Sequence, residues 1–305
     1  MAKTVGKLDS WAALAGLGLL GFLQPLAGPA CQSPAGTSAT TAAQAVVVAD
    51  LLADVGPEVV LPTLDRFATE MDLLATALST LEEDLASGDG DTAQINAQDR
   101  WIVAMTVWQE LELMQIGPSA SSLNSVAGED IRDEIYSWTS VNPCRVDQET
   151  VNENWNNDEF FSENLANAYG MDALEHLLFA GEESDCPAQV EPVSDGSWDA
   201  LGPDGVAANR AAFAGAITQE VLRLTNSLMN EWSPDGGNFS EALTATTDDS
   251  PYESQQAALN AVFDALFYLE TMTKDRKLAQ PLGLMECSES TCPEDVEGLE
   301  SGASL

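Results

Sequence analysis

The sequence contains few cations and a single histidine. Only 11 Lys and Arg residues stand against 50 Asp and Glu residues, for a formal net charge of −39. Binding to nucleic acid or to an anionic lipid surface requires clusters of cations, so the composition argues against both. Hydrophobic residues make up 45% of the chain and seven residues are Trp, which argues against disorder. We therefore predict an ordered core beneath an acidic surface, which suits a salty medium or the handling of cations.

The lone histidine, His176, limits the metal chemistry of the chain. Zinc hydrolases commonly hold their metal through two or three His or Cys side chains. A metal centre with several histidines is therefore excluded. The sequence also lacks a Gly-rich phosphate-binding loop and the nucleophile elbow of a Ser/His/Asp hydrolase.

Residues 1–31 have the order of a secretory signal. A short basic head precedes an apolar stretch, which ends in small residues and Cys31. A Cys after small residues resembles a bacterial lipobox, although Gly stands three positions before it where that pattern usually has Leu. We predict a secretory or lipoprotein signal that ends in lipidation of Cys31, followed by a flexible tether over 32–44. Cleavage without a lipid is the alternative.

Four cysteines remain when Cys31 is assigned to the lipid. An even number of cysteines in an exported chain predicts disulfides. Cys287 and Cys292 are close in sequence and suit a local bridge that pins the C-terminal tail. That assignment leaves Cys144 with Cys186, whose bridge would hold the helix between them in place. The other two pairings and a metal site of four thiolates remain as alternatives.

The spacing of apolar residues is helical from about residue 45 onward, beginning with a stripe of apolar residues over 61–81. No segment alternates as a strand does, so we predict an all-α fold of helical bundles. The helices exceed what one four-helix bundle holds, so we predict two packed bundles, over 45–190 and 191–305. Further helices are predicted over 92–116, 129–138, 162–179, 206–232 and 252–275, with loops over 139–160 and 182–205.

The segment 169–181, YGMDALEHLLFAG, brings acidic side chains and the histidine together. Spacings of three and four residues place Asp172, Glu175 and His176 on one face of a helix. Two carboxylates and an imidazole on one face can bind a cation. The same residues equally suit salt bridges where two helices pack.

This segment also resembles a known family. GMDALEHLLFAG, residues 170–181, is similar to the G-x-H-x-x-E helix of the imelysin family of bacterial envelope proteins, also called insulin-cleaving membrane proteases. Residues 101–118, 131–147 and 274–283 resemble other family segments, as does the acidic C-terminus, and all occur in the family's order. The resemblance covers about residues 50–305.

The resemblance implies two packed four-helix bundles, with the motif helix near their interface. It implies a periplasmic or outer-membrane location, membrane attachment through the lipid on Cys31, partners in iron uptake, and the peptidase activity of the family name. Glu112 matches an acidic position in the family's Trp-rich helix. Gly170, Trp108 and Arg210 match supporting positions. For Trp108 we expect core packing, with a platform that stacks on a ligand as the alternative, and for Arg210 the alternative is an ion pair with a buried carboxylate.

The chain departs from the motif at its histidine. Asp172 stands in that position, and His176 follows Glu175 instead of preceding it. Oxygen donors suit hard cations, such as Ca²⁺, Mg²⁺ or ferric iron, better than they suit a zinc hydrolase. We predict an envelope lipoprotein that binds a divalent or ferric cation, or a small ligand, at the cleft between the bundles. The predicted ligands are Asp172, Glu175, Glu112 and His176. A metallopeptidase that uses Glu175 and a structural or adhesion protein are the alternatives.

Overall fold

Helices and connecting loops make up the whole of the chain that the structure describes. No strand occurs in that part, so the predicted all-α class is confirmed. The predicted signal and tether, the lipid on Cys31 and the Cys287–Cys292 bridge fall outside it. The computed structural model describes residues 47–138, 140–279, 282 and 284.

The first long helix follows the apolar stripe of the sequence. A helix over 47–54 continues through the π-helical segment Val55–Val60 into α1, Leu61–Ser87. Helix α1 ends at Gly88, whose φ of 87° is the left-handed conformation common after helix C-termini. The buried stripe residues are Leu64, Phe67, Met71, Leu74, Leu78 and Leu81.

Two further long helices pack against α1. Helix α2, Asp91–Leu111, ends short of the predicted residue 116 because Glu112 begins a turn that leads to Gly117. Trp108 on α2 is buried, with its ring centroid 5.0 Å from that of Phe67, which is the core packing expected above. The third long helix, α7, spans Ser197–Trp232 and follows four shorter helices in the chain. Non-helical backbone angles at Gly202 interrupt it.

The shorter helices pack around these three. The bounds are α3, Ile131–Ile135; α4, Pro143–Asn152; α5, Phe160–Glu163; α6, Met171–Phe179; α7, Ser197–Trp232; α8, Phe239–Ala242; α9, Gln255–Leu266; and a π-helical segment, Leu269–Ala279. The motif helix α6 lies against α2 and α7, and α4 contacts both α6 and α7.

The prediction of a loop over 139–160 is wrong, because α4 lies within it. Asn142 caps this helix by accepting a hydrogen bond from the backbone N–H of Arg145 at 3.1 Å, and Pro143 occupies the first helical position. The loop predicted over 182–205 is likewise too long, because α7 begins at Ser197. Polar side chains form most of the buried face of α4, so no apolar stripe marked it. They are Asp147, Glu149 and Thr150.

The disulfide Cys144–Cys186 joins α4 to the loop that follows α6, with the two Cα atoms 4.4 Å apart. This finding confirms one predicted bridge and excludes the site of four thiolates and the other pairings of these two residues. The division into two bundles at residue 190 stays a prediction.

Candidate functional site

Helix α2 holds both ends of the motif helix α6. Trp101 donates a hydrogen bond from Nε1 to the carbonyl oxygen of Met171 at 3.1 Å. Gln98 donates from Nε2 to the carbonyl oxygen of Leu178 at 2.7 Å. Because both donors belong to one helix, they fix the position of α6 along α2 and thus the position of every side chain on it.

Gly170 precedes α6 at a point that only glycine fits well. Its φ is 91°, in the left-handed region that L side chains rarely adopt. A β-carbon here would also lie 2.8 Å from the carbonyl oxygen of Ile135. The glycine of the motif therefore allows α6 to start directly beside α3.

Glu112, at the end of α2, is surrounded by donors from distant parts of the chain. Its Oε1 accepts hydrogen bonds from Arg132 Nη2 at 3.1 Å and from the Tyr268 hydroxyl at 2.6 Å. Its Oε2 pairs with the Nζ atom of Lys277. Both oxygens of Glu112 are therefore occupied by side chains of the protein itself.

Lys277 lies in a pocket of aromatic rings above Glu112. Its Nζ atom is 4.8 Å from the ring centroid of Tyr136 and 5.5 Å from that of Trp138. Burial lowers the pKa of Lys277, and the contact with Glu112 acts in the opposite direction. The aromatic faces favour the ammonium cation, so they help to keep a charged group inside the fold.

Asp172 is the exceptional member of this group. It is only 3% exposed, and neither of its carboxylate oxygens has a hydrogen-bond partner among the residues that the structure describes. Burial raises the pKa of Asp172 to about 8, with a further increase from Glu175, although Lys277 and Arg132 act against it. Glu112 adds to the increase. The structure therefore brings Asp172, Glu175 and Glu112 into one electrostatically coupled group.

Two other buried polar atoms also lack partners within the described chain. The Tyr136 hydroxyl and the indole N–H of Trp108 are both buried without a hydrogen bond, and the two ring centroids are 6.3 Å apart. Burial raises the pKa of Tyr136, and the charge of Asp172 adds to this effect. Buried polar groups in folded proteins are nearly always paired, so this concentration of donors and acceptors suits a polar guest.

A groove with a volume of about 830 Å³ lies next to the residues around Glu112. Arg132 and Tyr268, two of the three partners of Glu112, form part of its wall. Tyr252, Phe267 and Met272 contribute apolar surface. The groove therefore exposes two partners of Glu112, whereas Glu112, Asp172 and Glu175 do not line it.

The single histidine contacts a different set of residues. His176 Nε2 lies 2.9 Å from Asp147 Oδ1, and His176 Nδ1 lies 3.5 Å from Asp185 Oδ2. One ligand atom from each of these three residues lies within 4.8 Å of the others, so they form a group that could hold a metal ion. Asp147 and Asp185 were not predicted as site residues. The predicted pairing of Cys144 with Cys186 could have indicated that Asp147 and Asp185 lie close together, because each carboxylate is within three residues of one of these cysteines.

Arg210 on α7 supports this second group. It donates hydrogen bonds from Nη1 to the carbonyl oxygens of Ala180 and Gly181, at 3.1 and 2.6 Å, and its Nη2 lies 3.5 Å from Asp147 Oδ1. Burial raises the pKa of Asp147, but His176, the backbone N–H of Asp185 and Arg210 outweigh this effect and lower it. Arg210 thus forms the ion pair with a buried carboxylate that was the alternative above.

Comparison with known proteins identifies the family. The family model described as Imelysin matches residues 60–305. The chain belongs to the imelysin family. A crystal structure described as an imelysin-like protein, from Psychrobacter arcticum 273-4, is 18% identical, with 85% of this chain and 70% of that chain covered and a TM-score of 0.49. No protein with a curated description matches.

The family assignment confirms the resemblance stated from the motifs. In this imelysin, Gly170 starts α6, Trp108 packs against Tyr136, and Glu112 lies in the same charged group as Asp172. None of the helices within the described ranges has the length and apolar character needed to cross a membrane.

Proposed function

We propose that this imelysin binds a cation beside Asp172 and Glu175. The observation that supports the proposal is the Asp172 carboxylate, which is buried with neither oxygen hydrogen-bonded in the described part of the chain. Burying an ionised carboxylate without a partner is costly, so such a group holds either a proton or a cation. The neighbouring Glu175 carboxylate makes a cation the better occupant when the proton is lost.

The charged neighbours of Asp172 agree with this proposal. Glu112 engages Arg132 and Lys277 by direct contact, so these two cations are already paired with another carboxylate. Asp172 makes no hydrogen bond to either of them. A cation that binds as Asp172 loses its proton would give its carboxylate the partner that it lacks.

The donor atoms indicate the class of cation. Asp172 and Glu175 provide oxygen, and the only imidazole of the chain contacts Asp147 and Asp185. Oxygen donors favour Ca²⁺, Mg²⁺ or ferric iron over zinc. Glu112 does not serve as a direct ligand in this proposal, because Lys277, Arg132 and Tyr268 already engage its oxygens. It positions the two internal cations beside the site.

Calorimetric titration of the mature protein with Ca²⁺, Mg²⁺ and a soluble ferric salt tests the proposal. High ionic strength should be used, because the acidic surface otherwise attracts cations without specificity. We expect one strong site that Asp172→Asn removes and Glu175→Gln weakens. The matched controls Asp72→Asn and Glu83→Gln alter exposed carboxylates on α1 and should leave it intact. Equal binding by all four variants would exclude a site at Asp172.

The same variants separate cation binding from peptidase chemistry. Chelator-sensitive cleavage of an unfolded protein, abolished by Glu175→Gln, would replace the proposal with a metallopeptidase. A protein that neither binds a cation nor cleaves a substrate would favour a structural or adhesion role.

We also propose that the protein is exported and anchored in the cell envelope through a lipid on Cys31, with partners in iron uptake. The order of residues in the signal and the family membership support this location. Mass spectrometry of the mature N-terminus should show a lipid on Cys31, and Cys31→Ser should release the protein from the membrane fraction. An unlipidated terminus would leave export without an anchor.

A further inference from the structure

We propose that Asp147, His176 and Asp185 form a second metal site, separate from the one at Asp172 and selective for a borderline divalent cation such as Zn²⁺. The three residues come from α4, from α6 and from the loop before Cys186. One nitrogen and two carboxylate ligands, with water in the remaining positions, form a common type of zinc coordination. The imidazole ligand distinguishes this chemistry from the oxygen ligands at Asp172.

The distances suit a shared ion. His176 Nε2 and Asp147 Oδ1 are 2.9 Å apart. Two ligands that each lie about 2.0–2.1 Å from a zinc ion are themselves roughly 3 Å apart. One ligand atom from each of the three residues lies within 4.8 Å of the others, and the Asp185 side chain is 57% exposed and able to close on an ion. Its exposure also gives the ion access from solvent.

The ligands are held by an outer layer of hydrogen bonds. Asp147 Oδ2 accepts from the Ser184 hydroxyl at 2.9 Å and from the backbone N–H of Asp185 at 2.7 Å. These contacts leave Oδ1 to face His176, as outer hydrogen bonds commonly orient a ligating carboxylate. The Cys144–Cys186 bridge joins the two segments that provide the carboxylates, so the site is preorganised.

The charges also favour a cation. Each ring nitrogen of His176 faces a carboxylate oxygen, whereas a neutral imidazole can donate a hydrogen bond on one side only. Asp147 and Asp185 carry two negative charges, against one positive charge on Arg210. Because Arg210 donates to the carbonyl oxygens of Ala180 and Gly181, its place in the fold does not depend on Asp147 alone. A divalent ion would offset the negative charge of the carboxylate that Arg210 leaves unbalanced.

The lone histidine allows a direct test by nuclear magnetic resonance. In the mature protein without a histidine tag, every imidazole ¹⁵N signal comes from His176. We expect one equivalent of Zn²⁺ to shift these signals. Asp185→Asn should weaken Zn²⁺ binding at least about tenfold, because even the loss of a hydrogen bond to a metal ligand typically lowers metal affinity by that factor or more. Asp185 is exposed enough for this variant to fold, which unfolding by urea checks. The control Asp72→Asn should bind Zn²⁺ as the wild type does.

Two results would overturn the second site: His176 signals that do not change with excess Zn²⁺, or equal Zn²⁺ affinity in the wild type and Asp185→Asn. The variant Asp172→Asn should retain the Zn²⁺ response. The calorimetric titrations test the site at Asp172 and the ¹⁵N signals test the site at His176, so the failure of one proposal can be told from the failure of the other.

Discussion

Glu112 and Lys277, which are 165 positions apart in the sequence, form an ion pair with only 2% and 4% of their side-chain surfaces exposed. The pair links the end of α2 to the last helical segment that the structure describes. It also places a fixed positive charge beside Asp172, whose pKa it lowers against the larger effect of burial.

Replacing Lys277 should destabilise the fold markedly. We expect Lys277→Met to lower the free energy of unfolding by about 3 kcal/mol, because Arg132 would be the one cation left in contact with buried Glu112 within the described residues. Urea denaturation measures the change. The control Lys274→Met breaks an exposed pair with Glu270 and should change the stability far less. The double variant Glu112→Gln with Lys277→Met should recover part of the loss, and similar effects of the two single Lys variants would contradict the importance of the buried pair.

Asp172 should make the stability of the protein depend on pH. The folded protein retains the Asp172 proton up to about pH 8, whereas the unfolded chain releases it near the ordinary value of 3.8. Between these values the folded state binds more protons, so its stability falls as pH rises, by up to about 1.4 kcal/mol per pH unit from this group. Urea denaturation without metal ions, repeated across this range, should show a shallower decline for Asp172→Asn. The control Asp72→Asn should keep the slope of the wild type, and an unchanged slope in Asp172→Asn would contradict the prediction.

Gly170→Ala should destabilise the start of α6. The positive φ and the close approach of the Ile135 carbonyl oxygen both oppose a β-carbon, so we expect a loss of about 1–3 kcal/mol. Gly181, after the same helix, serves as the matched control, because a β-carbon added there would meet open space within 4 Å. Thermal unfolding of the two variants should separate them clearly, and a neutral Gly170→Ala would show that α3 and α6 can move apart.

Removal of the disulfide should cost stability and loosen the second metal site. The bridge closes a loop across a sequence separation of 42, so the double variant Cys144→Ser with Cys186→Ser should lose about 2–4 kcal/mol of unfolding free energy. Zn²⁺ affinity should fall in parallel, because the bridge joins the segments of Asp147 and Asp185. Peptide mapping without reductant checks the pairing and also tests the predicted Cys287–Cys292 bridge. Unaltered stability in the double variant would contradict the structural role of the bridge.

The sequence determined those features of the protein that depend on local spacing. Apolar residues at helical intervals predicted α1 and its buried stripe, and the absence of strand alternation predicted the all-α class. Proximity in sequence paired Cys287 with Cys292 and left Cys144 for Cys186. The structure confirms the Cys144–Cys186 bridge. The motif residues and their order indicated the imelysin family. The spacing of Asp172 and Glu175 on one helix placed these two carboxylates together.

Only the tertiary structure decided which distant residues meet. Lys277, Arg132 and Tyr268 converge on Glu112 from separate elements, and no periodicity in the sequence links them. His176 is one residue beyond Glu175, yet it contacts Asp147 and Asp185, because α4 and the disulfide-linked loop pack on that side of α6. Periodicity shows which face of a helix is apolar. The partners of buried charges depend on how the helices pack against one another, and that arrangement emerges only when the whole chain folds.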